Sequence, residues 1–288
     1  MLRSGFSRTG CRRRATIDPA LANAQMASFP YHQDESQLPP GYTVDPAMAF
    51  KIAKSAQQLP GGEELSLVIT SASADAQPDA GASASTRKPL NIITSKSGLV
   101  AYVILGKGTY NLIFGGTTSG TTAGNLAQRS KANLVQTLSQ WGANLKNGLG
   151  GLPKCYVEAE LLLAALIKHA GFNVAVYGHS LGGGMATYAA ANLSTGNCKI
   201  AATGYCSAEL GKAAVNAIND NRDEQSVATA ITEIQHILIA GDPVSSVGKV
   251  VPNLQHVGQV SKIDHLPGMS NPVKIHDQFI SSVSFHFS

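Results

Sequence analysis

The sequence is poor in several things that would mark it for other work. Its four cysteines, Cys11, Cys155, Cys198 and Cys206, fall in no C-x-x-C or metal-ligand spacing, which excludes a cysteine-based metal or redox motif and a disulfide-dense scaffold. Free, buried thiols are expected, although Cys198 and Cys206 are near enough to meet across a strand. No apolar run reaches membrane-spanning length; Leu161 to Ile167 is short and is closed off by Glu160 and Lys168. The N-terminus has no apolar signal-peptide segment. Charged residues make up only 14% of the chain, and much of the net charge of +4 comes from Arg3, Arg8, Arg12, Arg13 and Arg14, all ahead of the first acid. A nucleic-acid-binding face would need basic residues spread over a folded surface, and none is seen. These absences lead to an expectation of a soluble protein with no nucleic-acid partner, no transmembrane segment and no cleavable export signal, and leave its location open.

What is present is a globular core. With 43% hydrophobic residues over 288 positions, the chain can build one large α/β domain with additional segments, or two small domains. Residues 1–62 have few periodic apolar positions and are read as a leader, extended or disordered. The exception is a short helix near Asp45 to Ala53, with Asp45 as N-cap and Pro46 in the first helical position. Residues 63–98 read as a strand (Glu64 to Thr70) and a Ser/Ala/Asp/Pro-rich loop leading into the domain. The α/β pattern fills 99–288. Strands are expected at Leu99 to Leu105, Tyr110 to Phe114, Asn173 to Tyr177, Lys199 to Tyr205, Gln235 to Ala240 and Val257 to Ile263. Helices are expected at Asn125 to Asn147, Tyr156 to Ala170, Met185 to Asn192, Glu209 to Ile218 and Val273 to Val283. Strands alternating with helices predict a mostly parallel central sheet with helices on both faces.

The most specific stretch is Val174 to Ala186, in which Gly178-His179-Ser180-Leu181-Gly182 fits G-x-S-x-G. A β-branched run reverses into an Ala-rich helix within a few residues. Ser180 is thereby held at a strained tip, with small residues on both sides where strand and helix backbones come close. The alternative is a Gly-rich connection without chemistry; the flanking strand and helix favour the nucleophile elbow.

A serine needs a base, and the base an orienting acid; after such an elbow they follow in the order acid, then histidine. The run Ile237-Leu238-Ile239-Ala240 feeds straight into Gly241-Asp242-Pro243, which puts Asp242 at the carboxyl end of a buried strand, where groups of this kind collect. Asp264 is the rival acid, and a plain turn the competing explanation. For the base, His276 ranks first because a late position at a loop-to-helix junction suits a group reaching across to the elbow. His265, just after a strand, is the alternative base. His256 opens that strand, and His179, inside the elbow, is expected to point away from the base. The backbone N–H of Leu181 is one oxyanion donor, and Thr117, after the strand ending at Phe114, is the candidate for the second.

These residues resemble the class 3 lipases of the α/β-hydrolase superfamily. Gly178-His179-Ser180-Leu181-Gly182-Gly183 is similar to that family's elbow. Phe114-Gly115-Gly116-Thr117 resembles its oxyanion motif, and Ala240-Gly241-Asp242-Pro243-Val244 its catalytic-aspartate turn. The likeness runs from about Leu99 to Val283, and Gly115 departs from it where the family carries arginine. The resemblance implies Ser180 as nucleophile, His276 as base, Asp242 as orienting acid, and Thr117 with Leu181 as oxyanion donors. It further implies hydrolysis of lipid or phospholipid acyl esters through an acyl-enzyme, with no cofactor or metal and with room for transient contact with a membrane or lipid surface. Trp141, in the segment Asn125 to Pro153, belongs either to a core helix or to a lid. Two other readings remain open: an esterase or thioesterase for small soluble substrates, and a non-catalytic hydrolase fold used for binding or as an effector.

Overall fold

The computed structural model describes residues 19–70, 90–116, 151–220, 231–249 and 251–281. The loop expected over Ser71 to Lys88, the helix expected over Asn125 to Asn147 and Thr117 lie outside the described residues. Strands β1 (Tyr42–Val44), β2 (Ser66–Thr70), β3 (Leu90–Thr94), β4 (Val100–Gly106), β5 (Thr109–Phe114), β6 (Val174–His179), β7 (Ala201–Tyr205), β9 (Ile234–Ile239) and β11 (Gln259–Ile263) form one sheet. Its order is β11-β9-β7-β6-β5-β4-β3-β2, with β1 on the free stretch of β4. The five strands from β5 to β11 pair in parallel, and β2 to β5 pair antiparallel. A separate ribbon joins β8 (Leu210–Gly211) to β10 (Leu254–Gln255).

Strand alternation divides the core into two layers. On one face Ala101, Val103, Leu112, Phe114, Val174 and Val176 pack under α2 (Pro46–Gln57), α3 (Lys154–Ala170), α4 (Leu181–Leu193) and α5 (Lys212–Asp220). On the other face Tyr102, Ile104, Ile113, Ala175 and Tyr177 meet α1 (Pro19–His32) and α6 (Pro272–Ser281). The sheet is therefore covered on both faces, as the alternating pattern predicts. Helix α2 begins as expected: Asp45 Oδ1 accepts from the Met48 N–H at 2.9 Å and Pro46 stands in the first turn.

Three features differ from the sequence expectation. Residues 19–32, read as extended or disordered, form the buried helix α1, in which Ala24, Met26, Ala27 and Phe29 are sealed against the sheet. The helix expected from Glu209 starts at Lys212, because Leu210 and Gly211 are taken into the ribbon with β10. The sheet also runs unbroken across residue 99, since Ile93 and Thr94 of β3 pair with Ala101 and Val100 of β4. Of the described cysteines, Cys155 and Cys206 are free and buried and Cys198 is free and half-buried.

Candidate active site

The turn between β6 and α4 is as tight as its glycines predict. Ser180 has φ 58° and ψ −127°, a region that costs a non-glycine residue about 1–3 kcal/mol and persists only where the surroundings fix it. The fixing contacts are backbone. The Ser180 N–H donates to Tyr205 O at 3.0 Å, and Ser180 O accepts from Gly183 N and Ala208 N, each at 3.0 Å. A Cβ on Gly178 would stand 2.2 Å from Gly182 O, and one on Gly182 would stand 2.2 Å from Phe114 O. Any side chain at either position would push strand and helix apart, so both glycines are steric requirements. Leu181 is the first residue of α4, so its N–H is among those the helix leaves without an intrahelical partner.

Asp242 follows β9 and is completely buried. Its Oδ1 accepts from His276 Nδ1 at 2.8 Å and from Val244 N at 3.1 Å. Its Oδ2 accepts from Ser245 Oγ at 2.6 Å and from Ser245 N at 3.3 Å. Burial pushes this carboxyl up, but the facing His276 and the hydrogen bonds from Ser245 and Val244 outweigh burial and hold it below the usual carboxylate range. A buried, ionised acid thus holds one imidazole nitrogen, Nδ1, and leaves Nε2 outside that bond. Of the two histidines that the sequence left open, His276 is the one paired with Asp242. His265 is exposed and its Nδ1 is engaged with the Ala240 carbonyl at 3.1 Å. Asp264 is exposed at the end of β11.

His179, expected to point away from the candidate base, instead lies against His276. Its ring centroid lies 4.6 Å from that of His276, and its Nε2 donates to the His276 carbonyl at 3.2 Å. A residue of β6 thus brings α6, the helix that carries His276, to within one residue of Ser180. Its other nitrogen meets Tyr31 Oη at 2.9 Å. Complete burial, followed by the neighbouring His276, pulls His179 down to about 3, so it is a neutral imidazole at physiological pH. Ligand atoms of His179, Cys206 and His276 lie within 4.8 Å of one another. Both His179 nitrogens and His276 Nδ1 are already held by protein groups, and burial keeps the Cys206 thiol well above its ordinary range and hence protonated. The set is a packed hydrogen-bonding cluster.

Sequence reasoning missed two contributors. Ser245 had a readable signal, because Asp-Pro-Val-Ser places a hydroxyl three residues after the acid, the spacing of a side-chain-capped turn. Tyr31 had none, because its contact spans 148 residues.

A mixed sheet whose parallel half carries a strained serine between β6 and α4, with a buried acid–histidine pair at the end of β9, defines a lipase-like hydrolase of the α/β-hydrolase fold. Residues 84–271 match the family described as phospholipase-like, the Tle-like phospholipase domain, and the chain belongs to that family. The crystal structure of Lip2 lipase from Yarrowia lipolytica is also similar, with 15% identity, a TM-score of 0.42, and 87% of this chain and 82% of that chain covered. No curated protein matches the chain.

Proposed function

We propose that the chain hydrolyses carboxyl esters of lipids or phospholipids, with Ser180 as nucleophile, His276 as base, Asp242 as orienting acid, and the N–H groups of Leu181 and Thr117 as oxyanion donors. The observation that carries this reading is the buried 2.8 Å pair of Asp242 with His276, whose ring lies against the residue next to Ser180. Ser180 Oγ attacks the acyl carbonyl as its proton passes to His276 Nε2. The tetrahedral oxyanion rests on the two N–H groups, and collapse expels the alcohol, which takes that proton from His276. Water then adds to the acyl-Ser180 ester by the reverse relay and releases the acid. Asp242 stabilises the imidazolium formed in each half. None of these steps calls for a metal or organic cofactor.

Within the hydrolases, this reading makes the chain a carboxylic-ester hydrolase similar to class 3 lipases. No helix among the described residues is long and apolar enough to cross a membrane. In this reading the lipid is met by transient contact with its surface. The test is labelling by a fluorophosphonate probe, followed by fatty-acid release from phosphatidylcholine vesicles, triacylglycerol emulsions and short soluble esters. Labelling that disappears in Ser180→Ala, with release from the lipids, is expected. Folded protein that stays unlabelled would return the chain to the non-catalytic reading. Turnover of short esters alone would make it a small-substrate esterase.

A further inference from the structure

We propose that Tyr31, in the N-terminal helix α1, is a positioning residue of the hydrolase site, acting through His179 to hold the end of β5 and the base His276 in one hydrogen-bonded frame. The proposal rests on the assignment of Ser180 and His276 made above.

The direction of every bond in this frame follows from chemistry. The Gly116 N–H can only donate, and it donates to Tyr31 Oη at 3.1 Å. The His276 carbonyl can only accept, so the His179 Nε2 that meets it at 3.2 Å carries a proton. A neutral His179 then has a bare Nδ1, which accepts the Tyr31 hydroxyl proton at 2.9 Å. The chain runs one way, from Gly116 N–H to Tyr31 O–H to His179, and from His179 Nε2–H to His276 C=O. Reversing the middle bond would need a doubly protonated imidazole in a site where His179 is 1% exposed. Burial likewise keeps the tyrosine protonated by pushing its pKa up.

Packing fixes the same atoms. The His179 ring meets Tyr31 edge-on at 5.3 Å and stacks on Phe279 of α6 at 5.8 Å, and Phe279 stacks on Tyr205 at 4.2 Å. Gly116 lies between the tyrosine hydroxyl and the nucleophile: a Cβ there would come 2.4 Å from Tyr31 Oη and 3.0 Å from Ser180 Cβ. Tyr31 therefore sets the backbone leading out of β5 beside Ser180. Through His179 it also sets the carbonyl from which the base side chain projects, while Asp242 sets that side chain's ring. Every one of these contacts is between protein groups, so the effect should fall on the rate of acylation and spare substrate affinity.

The experiment uses the full chain with Tyr31→Phe, which keeps the ring and removes the hydroxyl, together with His179→Asn and the double variant. With a p-nitrophenyl ester, Tyr31→Phe should lower kcat about 10- to 100-fold, the range for losing one buried hydrogen-bonded link, with KM within about twofold and fluorophosphonate labelling slowed by the same factor. Because the two residues act in one chain, the double variant should lose no more than His179→Asn alone. In 15N-histidine spectra of the unaltered protein, His179 should be a neutral Nε2–H tautomer. A kcat within twofold of the unaltered protein in a folded Tyr31→Phe variant, multiplicative losses in the double variant, or an Nδ1–H tautomer would each overturn the proposal. If Tyr31→Phe does not fold, the tautomer alone decides. Loss of the Ser180 assignment itself reads differently, as labelling that is absent from the unaltered protein or survives Ser180→Ala.

Discussion

Acid should destabilise this protein well before its carboxylates titrate, because two histidines are buried as neutral rings. His179 is held by Tyr31 and the His276 carbonyl. His236 meets Ser207 Oγ at 2.7 Å and donates through Nε2 to the Val257 carbonyl at 2.9 Å. Burial, followed in each case by a neighbouring histidine, takes both down to about 3. In the unfolded chain a histidine takes up its proton near pH 6.5. Between about pH 6.5 and 3 the unfolded state therefore binds more protons than the folded state, and stability falls as the pH falls through that window. At pH 5 each histidine contributes a loss of about 2 kcal/mol relative to pH 7, or about 4 kcal/mol for the pair. That is a large share of a typical 5–15 kcal/mol of total stability. His256, also pushed down by burial, acts in the same direction. Asp277, pushed up by burial, acts in the opposite one, since its folded form takes a proton first. Urea unfolding followed by circular dichroism at pH 7 and pH 5 measures the difference directly. His236→Gln, which cannot titrate, should reduce the pH dependence by about half even though it lowers stability at both values. Equal midpoints at the two pH values with an unchanged slope, or an undiminished pH difference in His236→Gln, would refute the reasoning.

Two substitutions test the elbow and the acid separately. Asp242→Asn keeps the shape but leaves His276 Nδ1 facing an amide, which favours the wrong tautomer. Losses in kcat of about 10⁴-fold are typical of that change, and a steady-state assay showing less than a tenfold loss would argue against Asp242 as the orienting acid. Gly182→Ala forces a methyl group to within 2.2 Å of Phe114 O. Overpacking of that kind costs about 1–3 kcal/mol or more, which for a chain of this size lowers the melting temperature by about 2–4 °C per kcal/mol. Gly211→Ala, where a Cβ would meet only Leu254 Cδ2 at 3.8 Å, is the control and should melt within a degree or two of the unaltered protein.

How far the sequence could be read depended on the distance over which each signal acts. The elbow is local: strand, turn and helix lie within Val174 to Ala186, and the glycines the turn needs are the ones the backbone contacts require. Asp242 could be read because an apolar strand ends on it. Position in the chain ranks His276 ahead of His265, but what divides them is three-dimensional: one is buried on Asp242 and the other sits exposed on the Ala240 carbonyl. Helix α1 had no readable signal. Ala27, Ser28, Phe29, Pro30 and Tyr31 are buried in succession, so it shows no polar face and no 3.6-residue stripe. Pro30 inside it argues locally against a helix. Packing against a preformed sheet overrides that preference.

That override bears on what counts as the catalytic unit. A segment too poor in apolar periodicity to build its own core can still dock on one that exists, because burial against the Tyr102 and Ile104 face of the sheet supplies what its own sequence lacks. Here α1 shares that face with α6, the helix that carries His276, and both converge on His179. The segment that matches the family begins at residue 84, and the resemblance to class 3 lipases at about Leu99, so Tyr31 lies outside both. A chain that began at either position and ran on to the end would keep Ser180, Asp242 and His276. It would lose the hydroxyl that receives the Gly116 N–H and orders the ring between nucleophile and base. By this reading, what composition marks as a leader is the third wall of the site.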